Sequence, residues 1–435
     1  MRYFHRLSTA AALLLCLSTP LFAQTLVTKL EKVTIDLGDV QVGLYGMINT
    51  AKASVRSHPE GALLLWEERS LESKTVVSHI TPLNTQLARS GPDVVLRNEW
   101  LADAVYLPQE RAIVALTHTL VSPNTYIEDY PNFLHLVKMD MTGRILWRTT
   151  VCGAHSQGAE DRWPDFGGYV PALGYNGKQF AVYTSLMRDF AAPGAKKDVH
   201  QIDLFKAYDL NGKELPQLTR ELSVSHSNQV HVAANAAGDW ITTTVGDGGP
   251  YGIVAFNRTT GNSENLYGKA VDAAKTGLYP EGCGSVLCAG YLNGMVGAGN
   301  RFWAAVSHTM RETPMDYGEK DLDILLLTFD DTPALLRKTW LTTNREQVRE
   351  SKPYLAHYGK QELLVGWNLS DEQGYHTGLQ LMRLSREGKV LEGPVNVDAT
   401  TATFAVQFQT MPDGSVIWGH GDERDIFLTL YRVRP

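Results

Sequence analysis

Three histidines stand at matching places in this sequence, each at the end of a short apolar run. They are His118 in ALTHT, His308 in AVSHT and His420 in IWGHG. Three imidazoles on one rim could form a zinc site, but zinc needs its nitrogen ligands within about 2 Å. The three runs are not consecutive along the chain, so we expect the side chains to lie too far apart. The sequence predicts no metal site and leaves His308 and His420 as candidate ligand contacts.

The densest polar cluster lies in residues 152–168, CGAHSQGAEDRWPDFGG. Its carboxylates, together with His155 and Arg162, could carry out general acid and base chemistry. Alternatively, His155, Asp161 and Arg162 could hold a polar ligand while Trp163 stacks on it. A solvated loop with internal salt bridges is the third interpretation. The sequence leaves all three open.

A second polar group lies in the middle of the chain. His226 and Asn228 precede a predicted strand in SVSHSNQVHV, and Asp247 follows the next strand in VGDGGPYG. His226 and Asp247 are the best candidate pair for a polar site, as acid and base or as ligand contacts. The glycines after Asp247 indicate a tight turn, because no helix follows them to complete a phosphate site. Asp422, in HGDERD beside His420, completes the candidate rim.

These residues must be positioned mainly by strands, because strong helical periodicity is scarce and short runs of β-branched and aromatic residues recur. One unit occurs seven times: a turn with Gly, Asn, Asp or Pro, then a short, mostly apolar run. The runs are ALLLW (62–66), AIVALT (112–117), FAVYTS (180–185), WITTTV (240–245), FWAAVS (302–307), LLVGWN (363–368) and SVIWGH (415–420). Further strands follow, among them FLHLVKMD, IDLFKAYD, GIVAFN, DILLLTFD and GLQLMRLS.

The recurring order of turns and strands resembles the β-propeller superfamily, with four strands in each blade. The predicted fold class is therefore all-β, a seven-bladed β-propeller over residues 24–435. The last run, IFLTLYRV (426–433), ends before a fourth strand, whereas LVTKLEKVTIDL (26–37) has strand character and no blade. We expect this N-terminal strand to complete the last blade, since ring closure removes exposed edges. Five tryptophans are predicted to pack between blades: Trp66, Trp240, Trp303, Trp367 and Trp418.

Loop length distinguishes the two faces of such a ring. Turns between first and second strands and between third and fourth strands lie on one face and are short. Connections between second and third strands and between blades lie on the other face, and include residues 121–131, 152–168, 187–199 and 309–320. Long loops on a rigid scaffold are where binding residues concentrate. We expect the functional surface on that face, around the mouth of the central channel.

The overall charge narrows the range of partners. The chain carries a formal net charge of −7, which becomes −9 without Arg2 and Arg6 because no acidic residue leaves with them. Nucleic acid and an anionic membrane surface are therefore not expected partners.

Three cysteines remain beyond the first 23 residues: Cys152, Cys283 and Cys288. Cys283 and Cys288, in GCGSVLC, could pair with each other, or either could pair with Cys152. Their spacing is not that of a redox motif, so the expected role is a disulfide that staples a loop. The sequence does not choose among the pairings.

The first 23 residues have the pattern of a signal peptide. A basic start, MRYFHR, precedes the apolar stretch LSTAAALLLCLSTPLFA, with a cut expected after Ala23. No later stretch approaches about 18 uninterrupted apolar residues, so membrane insertion of the mature chain is not expected. The chain is predicted to be secreted or periplasmic.

Two functions fit these patterns. The first is a non-catalytic binding protein whose long-loop face grips a glycan, a peptide or another protein, because no nucleophile elbow or cofactor fingerprint is found in the sequence. The second is a hydrolase or lyase at the channel mouth, in which His226 and Asp247, joined by His155 and Asp161, act as acid and base. The predicted fold hosts both classes and does not decide between them. The sequence identifies no cofactor.

The signal peptide gives the first testable prediction. When the full chain is expressed in a bacterial host, the exported protein should begin at Gln24, because signal peptidase cuts after a small residue such as Ala23. Intact-mass measurement of the periplasmic fraction checks this. An Ala23→Leu variant should be cut poorly. A full-length protein that keeps residues 1–23 in every fraction contradicts the prediction.

Overall fold

The structure is a computed structural model, and it describes residues 26, 29–36, 53–70, 75–119, 133–153, 162–164, 171–189, 199–222, 230–247, 251–267, 291–308, 322–343, 349–370, 376–398, 407–421 and 427–435. Over these residues the chain forms seven antiparallel sheets, and each sheet is one blade. Among the same residues, no helix has the length and apolar character needed to cross a membrane.

In six blades the strands follow the chain from the axis of the ring outward, and in the seventh the N-terminal strand takes the outermost place. The first strand of the chain, which belongs to the last blade, is β1 (Leu30–Asp36). The first blade contains β2 (Ala53–His58), β3 (Gly61–Ser70), β4 (Thr75–Leu83) and β5 (Val94–Arg97). The second blade contains β6 (Glu99–Leu107), β7 (Ala112–Thr119), β8 (Phe133–Asp140) and β9 (Ile145–Gly153). The third contains β10 (Arg162–Pro164), β11 (Ala172–Tyr175), β12 (Gln179–Asp189), β13 (Val199–Asp209) and β14 (Arg220–Leu222), with a 3-10 turn at Pro216–Leu218.

The remaining blades have the same order. The fourth contains β15 (His231–Ala234), β16 (Trp240–Asp247), β17 (Tyr251–Asn257) and β18 (Ser263–Tyr267). The fifth contains β19 (Tyr291–Ala298), β20 (Arg301–His308), β21 (Asp323–Asp330) and β22 (Leu335–Trp340). The sixth contains β23 (Arg349–Tyr358), β24 (Glu362–Ser370), β25 (His376–Ser385) and β26 (Val390–Val397). The seventh contains β27 (Gln409–Thr410), β28 (Val416–Gly421) and β29 (Phe427–Val433), followed by β1.

The seven inner strands form a closed ring. Each of β2, β6, β11, β15, β19 and β23 contacts the inner strand of the following blade, and β27 contacts β2. The seven apolar runs predicted from the sequence all lie in second strands, in β3, β7, β12, β16, β20, β24 and β28. The predicted seven-bladed β-propeller is confirmed.

The third strands end in a repeated turn that explains their sequence signature. In five blades the last residue of the third strand is Asp, Asn or Ser, whose side-chain oxygen accepts the backbone N–H two residues later. These residues are Asp140, Asp209, Asn257, Asp330 and Ser385. Short polar side chains stabilise turns in this way. Gly143, in the first of these turns, has φ of 83°, a conformation that favours glycine.

The second strands are buried between neighbouring blades. The five tryptophans at these positions are all at most 3% exposed, which confirms that they pack between blades: Trp66, Trp240, Trp303, Trp367 and Trp418. Trp418 of the seventh blade, for example, lies in one buried cluster with Tyr354 and Leu364 of the sixth blade. The apolar core of the described residues is therefore divided into clusters that lie between neighbouring blades.

The connector predicted over residues 152–168 is partly strand. Cys152 and Gly153 are the last residues of β9, and β10 pairs with the end of β12. The inner edge of the third blade is therefore made by two short strands, β10 and β11, on the same side of β12. The sequence predicted a loop here because the pairing of β10 with β12 joins residues that are distant along the chain, and local sequence patterns do not indicate such pairing.

The N-terminal strand closes the last blade, as expected. β1 pairs with β29 along its whole length, from Leu30 opposite Val433 to Asp36 opposite Phe427. At this junction Glu31 Oε2 accepts hydrogen bonds from Arg432 Nε at 2.8 Å and Nη2 at 2.6 Å. Glu31 Oε1 accepts another from Arg434 Nε at 2.5 Å. These contacts from Arg434 and Arg432 lower the pKa of Glu31.

This junction gives a prediction about stability and pH. Glu31→Gln should lower the melting temperature at pH 7 by a few degrees, an effect of at most about 1 kcal/mol because Glu31 is partly exposed. A carboxylate whose pKa is lower in the folded state than in the unfolded state stabilises the fold at pH values above its unfolded-state pKa. This stabilisation is lost as the pH falls through the folded-state pKa. The difference from wild type should therefore shrink below about pH 4.5, the ordinary pKa of the group. Thermal denaturation from pH 7 to pH 3 checks this.

Glu264 offers a matched control, because it is an exposed glutamate on the outer strand of another blade. Glu264→Gln should leave the melting temperature unchanged at every pH. An equal loss for Glu31→Gln at pH 3 and pH 7 would contradict the assigned role of the ion pair.

Candidate functional site

A cavity of about 400 Å³ lies on the axis of the ring, where residues from the inner edges of all seven blades line it. Four of its polar residues are buried: Arg56, Asp103, His231 and Asn293. Four more line it at intermediate exposure: Ser57, Gln407, Gln409 and Thr410. Small-molecule sites are typically concave and hold a few convergent polar groups, so this cavity is the candidate functional site.

Arg56 and Asp103 form an ion pair that joins the first two blades. Arg56 Nε lies 2.5 Å from Asp103 Oδ1, and the two side chains are 10% and 9% exposed. Arg56 Nη1 also donates to the carbonyl of Val55 at 2.9 Å. Asp103 accepts the backbone N–H groups of Ala104 at 2.8 Å and of Leu173, in the third blade, at 3.0 Å. Both side chains are therefore held in fixed orientations across three blades.

The same contacts leave specific atoms of the pair for a ligand. Within the described part of the chain, Arg56 Nη2 has no hydrogen-bond partner. Asp103 Oδ2 accepts one hydrogen bond, from Leu173, and a carboxylate oxygen can accept two. The pair thus has one donor atom and one acceptor atom with unused hydrogen-bonding capacity.

His231 connects the fourth and fifth blades. Its Nε2 lies 3.3 Å from the carbonyl oxygen of Leu292, and burial lowers its pKa to about 4. The imidazole is therefore neutral near pH 7, with its proton on Nε2, where the carbonyl accepts it. Nδ1 is then an acceptor, and among the described residues it has no partner.

Asn293 occupies a β-bulge in the inner strand of the fifth blade. Leu292 pairs with Val306 and Gly294 pairs with Ala305, so Asn293 is an extra residue with no partner on β20. Its side chain is buried in the cavity wall, and Nδ2 has no hydrogen-bond partner among the described residues. Bulges often re-aim a side chain next to a functional site. An unpaired buried amide costs about 1–3 kcal/mol, so it calls for an explanation.

The glycine after this bulge brings two inner strands together. A Cβ on Gly294 would lie 2.7 Å from the backbone nitrogen of Leu355 in β23. Only glycine allows this close approach of β19 to β23.

Sequence reasoning did not find these four channel residues. Each is a polar residue inside a short inner strand, in SVRSH, LADAV, QVHVAA and YLNGM. A polar residue within an apolar inner strand is a usable signal once the seven blades have been assigned. Closure of the ring decides which of these residues lie close together on the axis, and no local sequence pattern predicts that.

Five predicted site residues lie outside the described residues: His155, Asp161, His226, Asn228 and Asp422. Their roles stay predictions. For four others the structure gives only the position in a strand. Arg162 and Trp163 lie in β10 opposite Arg188 and Met187, Asp247 ends β16 opposite Tyr251, and His420 lies in β28 opposite Thr429. All four lie at the long-loop ends of their strands, in three different blades.

The other two histidines at the ends of second strands are buried. Burial, and then the nearby charge of His135, lower the pKa of His118 to about 3. His308 is 3% exposed, and its Nδ1 lies 3.4 Å from the hydroxyl of Tyr267. Neither residue lines the channel cavity. Over the described ranges, no three His, Cys, Asp or Glu side chains are grouped closely enough to hold a metal ion.

A second titratable cluster, also missed from the sequence, lies between the fifth and sixth blades. Glu350, at the start of β23, is 3% exposed, and its side chain accepts a hydrogen bond from the hydroxyl of Thr342. Burial, with a smaller contribution from the charge of Asp323, raises the pKa of Glu350 to about 7. Ser307 Oγ donates to the carbonyl of Glu350 at 2.6 Å. The cluster links the two blades and is not part of the cavity wall.

Cys152 is a free thiol buried between the second and third blades. Burial raises its pKa to about 12, so it is unreactive near neutral pH. Cys283 and Cys288 lie outside the described residues, and their pairing stays a prediction.

The solved structures that resemble this chain do so only distantly. No protein-family description matches the chain. No curated protein matches it in sequence. Solved structures do match: the β-propeller domain of the Trilobed protease from Pyrococcus furiosus has a TM-score of 0.44 and 9% identity, over 88% of this chain and 94% of that domain.

Two other solved structures are similarly distant. Polysaccharide lyase Uly1 has a TM-score of 0.47 and 11% identity, over 93% of this chain and 99% of the lyase. An acylaminoacyl peptidase of Pyrococcus horikoshii has a TM-score of 0.45 and 10% identity, over 85% of this chain and 49% of the peptidase. At such low identity and TM-score, nothing about this chain is concluded from these likenesses.

The unpaired amide of Asn293 gives a prediction about the ligand-free protein. Asn293→Leu removes a buried donor that has no partner, so the melting temperature should stay the same or rise. Asn257 is the matched control. Its Nδ2 donates to the carbonyl of Asp331 at 2.7 Å, and its Oδ1 accepts two backbone N–H groups. Asn257→Leu should therefore lower stability by about 2 kcal/mol or more.

Thermal and urea denaturation of both variants without added ligand measure these effects. A loss of stability for Asn293→Leu as large as that for Asn257→Leu would show that Asn293 serves the fold instead of a ligand.

Proposed function

We propose that this protein is a non-catalytic binding module that holds a small polar ligand in its central channel. The observation that carries the proposal is the buried, unpaired amide of Asn293 in a cavity lined by all seven blades. A ligand that donates a hydrogen bond to Asn293 Oδ1, which has no partner among the described residues, would be held by this side chain. Binding energy would then come from a site that the free protein holds ready.

The position of the polar residues supports entry from the long-loop face. His231 is the first residue of β15 and Asn293 is the third residue of β19. Inner strands begin on the long-loop face, so both side chains lie toward that end of the channel. A glycan, a peptide or a protein segment could contact the long loops while one of its groups enters the cavity.

Binding is better supported than catalysis by the state of the two titratable groups in the cavity. Asp103 is held by Arg56 and by two backbone N–H groups, and the Nε2 proton of His231 is held by Leu292. Groups held in this way orient a ligand well but are poorly placed to exchange protons with it. The hydrolase or lyase alternative rests on His226, Asp247, His155 and Asp161, and stays a prediction.

We also propose that the mature protein acts after export, in the periplasm or outside the cell. The support is the signal-peptide pattern of residues 1–23. A protein exposed to the outside would meet the small solutes and glycans that such a channel could sample.

A thermal-shift screen tests the proposed binding. The wild type and Asn293→Leu are heated with neutral sugars, sugar acids, amino acids and dipeptides, each at millimolar concentration. At least one class should raise the melting temperature of the wild type, since a ligand at 100 times its Kd adds about 2.7 kcal/mol. Asn293→Leu should lose the shift. Asn396→Leu, on the exposed outer strand β26, should keep it.

Channel binding would be contradicted if no class of compound raised the melting temperature of the wild type. It would also be contradicted if a compound raised the melting temperature of Asn293→Leu as much as that of the wild type. Chromatography of each hit after long incubation separates the two functions. An unchanged ligand supports the binding module, whereas cleavage or elimination products would favour the hydrolase or lyase.

A further inference from the structure

The charges in the channel limit the ligand to a neutral molecule. Arg56 and Asp103 are the charged residues among those described in the cavity wall, and they neutralise each other at 2.5 Å. His231 is neutral near pH 7, since burial holds its pKa at about 4. A charged ligand group would find no unpaired counter-charge in this wall. Burying such a group is costly, so the lining selects against acids, amines and zwitterions.

The cavity wall has both donors and acceptors with unused hydrogen-bonding capacity among the described residues. Arg56 Nη2 donates, whereas His231 Nδ1, Asn293 Oδ1 and the second lone pair of Asp103 Oδ2 accept. A hydroxyl group both donates and accepts, so a ligand with several hydroxyls can satisfy all four atoms. The donor and the acceptor of the Arg56–Asp103 pair match two neighbouring hydroxyls on one ring.

The apolar part of the wall does not offer a stacking platform of the usual kind. Phe408 lines the cavity, but its ring is stacked between Tyr354 and Trp418, with centroid distances of 5.1 and 4.7 Å. Its faces are therefore occupied, and only its edge can meet a ligand. Recognition must rest on hydrogen bonds. The cavity volume of about 400 Å³ lies in the lower part of the roughly 300–1,000 Å³ range of small-molecule sites.

We propose that the ligand held in the channel is a neutral carbohydrate unit with adjacent free hydroxyls, bound by Arg56, Asp103, His231 and Asn293. This inference rests on the proposed function and adds the chemical class of the ligand. A glycan would place one terminal ring in the cavity, whereas a free sugar would occupy it alone.

Matched pairs of sugars test the inference by isothermal titration calorimetry at pH 7.5. D-galactose and D-glucose are compared with D-galacturonate and D-glucuronate, which differ at one carbon and carry a negative charge. D-glucosamine supplies the positive charge, and glycylglycine supplies a zwitterion. At least one neutral sugar should bind about tenfold or more tightly than its acid and its amine.

Two variants test whether the sugar binds in the channel. Asn293→Leu should weaken the binding of the neutral sugar about tenfold or more, because hydrogen bonds to the ligand are lost. Arg56→Lys keeps the charge opposite Asp103 but loses Nη2, and should weaken binding to a similar degree. Asn396→Leu should bind like the wild type, and circular dichroism confirms that each variant is folded.

The outcomes separate this inference from the proposed function. If a uronate, glucosamine or glycylglycine binds more tightly than the neutral sugars and Asn293→Leu abolishes that binding, the channel is a binding site but the carbohydrate inference is wrong. If a neutral sugar binds Asn293→Leu as tightly as the wild type, the sugar site lies elsewhere and the inference is overturned. If none of these probes binds and the thermal-shift screen is also negative, both proposals fail.

Discussion

The apolar surface of each second strand is buried only by the blades on either side of it, and this burial requires a closed ring. A single blade would expose Trp303 or Trp367 to water, and a row of blades would leave its two end faces exposed. The ring removes both ends, and β1 makes the closure by pairing with β29. Closure also places seven inner strands around one axis, so a lined channel is a geometric consequence of burying the second strands.

The channel combines a rigid frame with polar atoms that have no hydrogen-bond partner among the described residues. The ion pair of Arg56 and Asp103 joins the first, second and third blades, and His231 joins the fourth to the fifth. Asn293, in the bulge of the fifth blade, is buried beside this frame without a partner for Nδ2 in the described part of the chain. Proteins hold binding groups in place by such frames, because groups that are already oriented lose little entropy when a ligand arrives.

Much of the fold could be predicted from the sequence, because the signals that define it are local. A turn followed by an apolar run marks each second strand, as in GAGNR then FWAAVS, and a final Asp marks third strands such as DILLLTFD. The role of β1 could be inferred from a missing fourth strand. The two-part inner edge made by β10 and β11 could not, since its pairing with β12 joins residues that have no shared local pattern.

The site was harder to predict for a related reason. Loop length directed attention to His155, His226 and Asp422, which lie outside the described residues, whereas the channel residues lie within short inner strands. In the sequence, Asp103 is one polar residue within the apolar segment LADAV. Its role depends on ring closure, which places it beside Arg56. Likewise, nothing near Asn293 in the sequence reports the bulge, which arises from the pairing of β19 with β20 and the close approach of Gly294 to Leu355.

A crystal structure at high resolution, grown with a saturating neutral monosaccharide, tests the central claim most directly. A sugar ring should lie in the channel, with one hydroxyl oxygen within about 3 Å of Asn293 Oδ1 and another beside the Arg56–Asp103 pair. A structure with only water along the axis would contradict this.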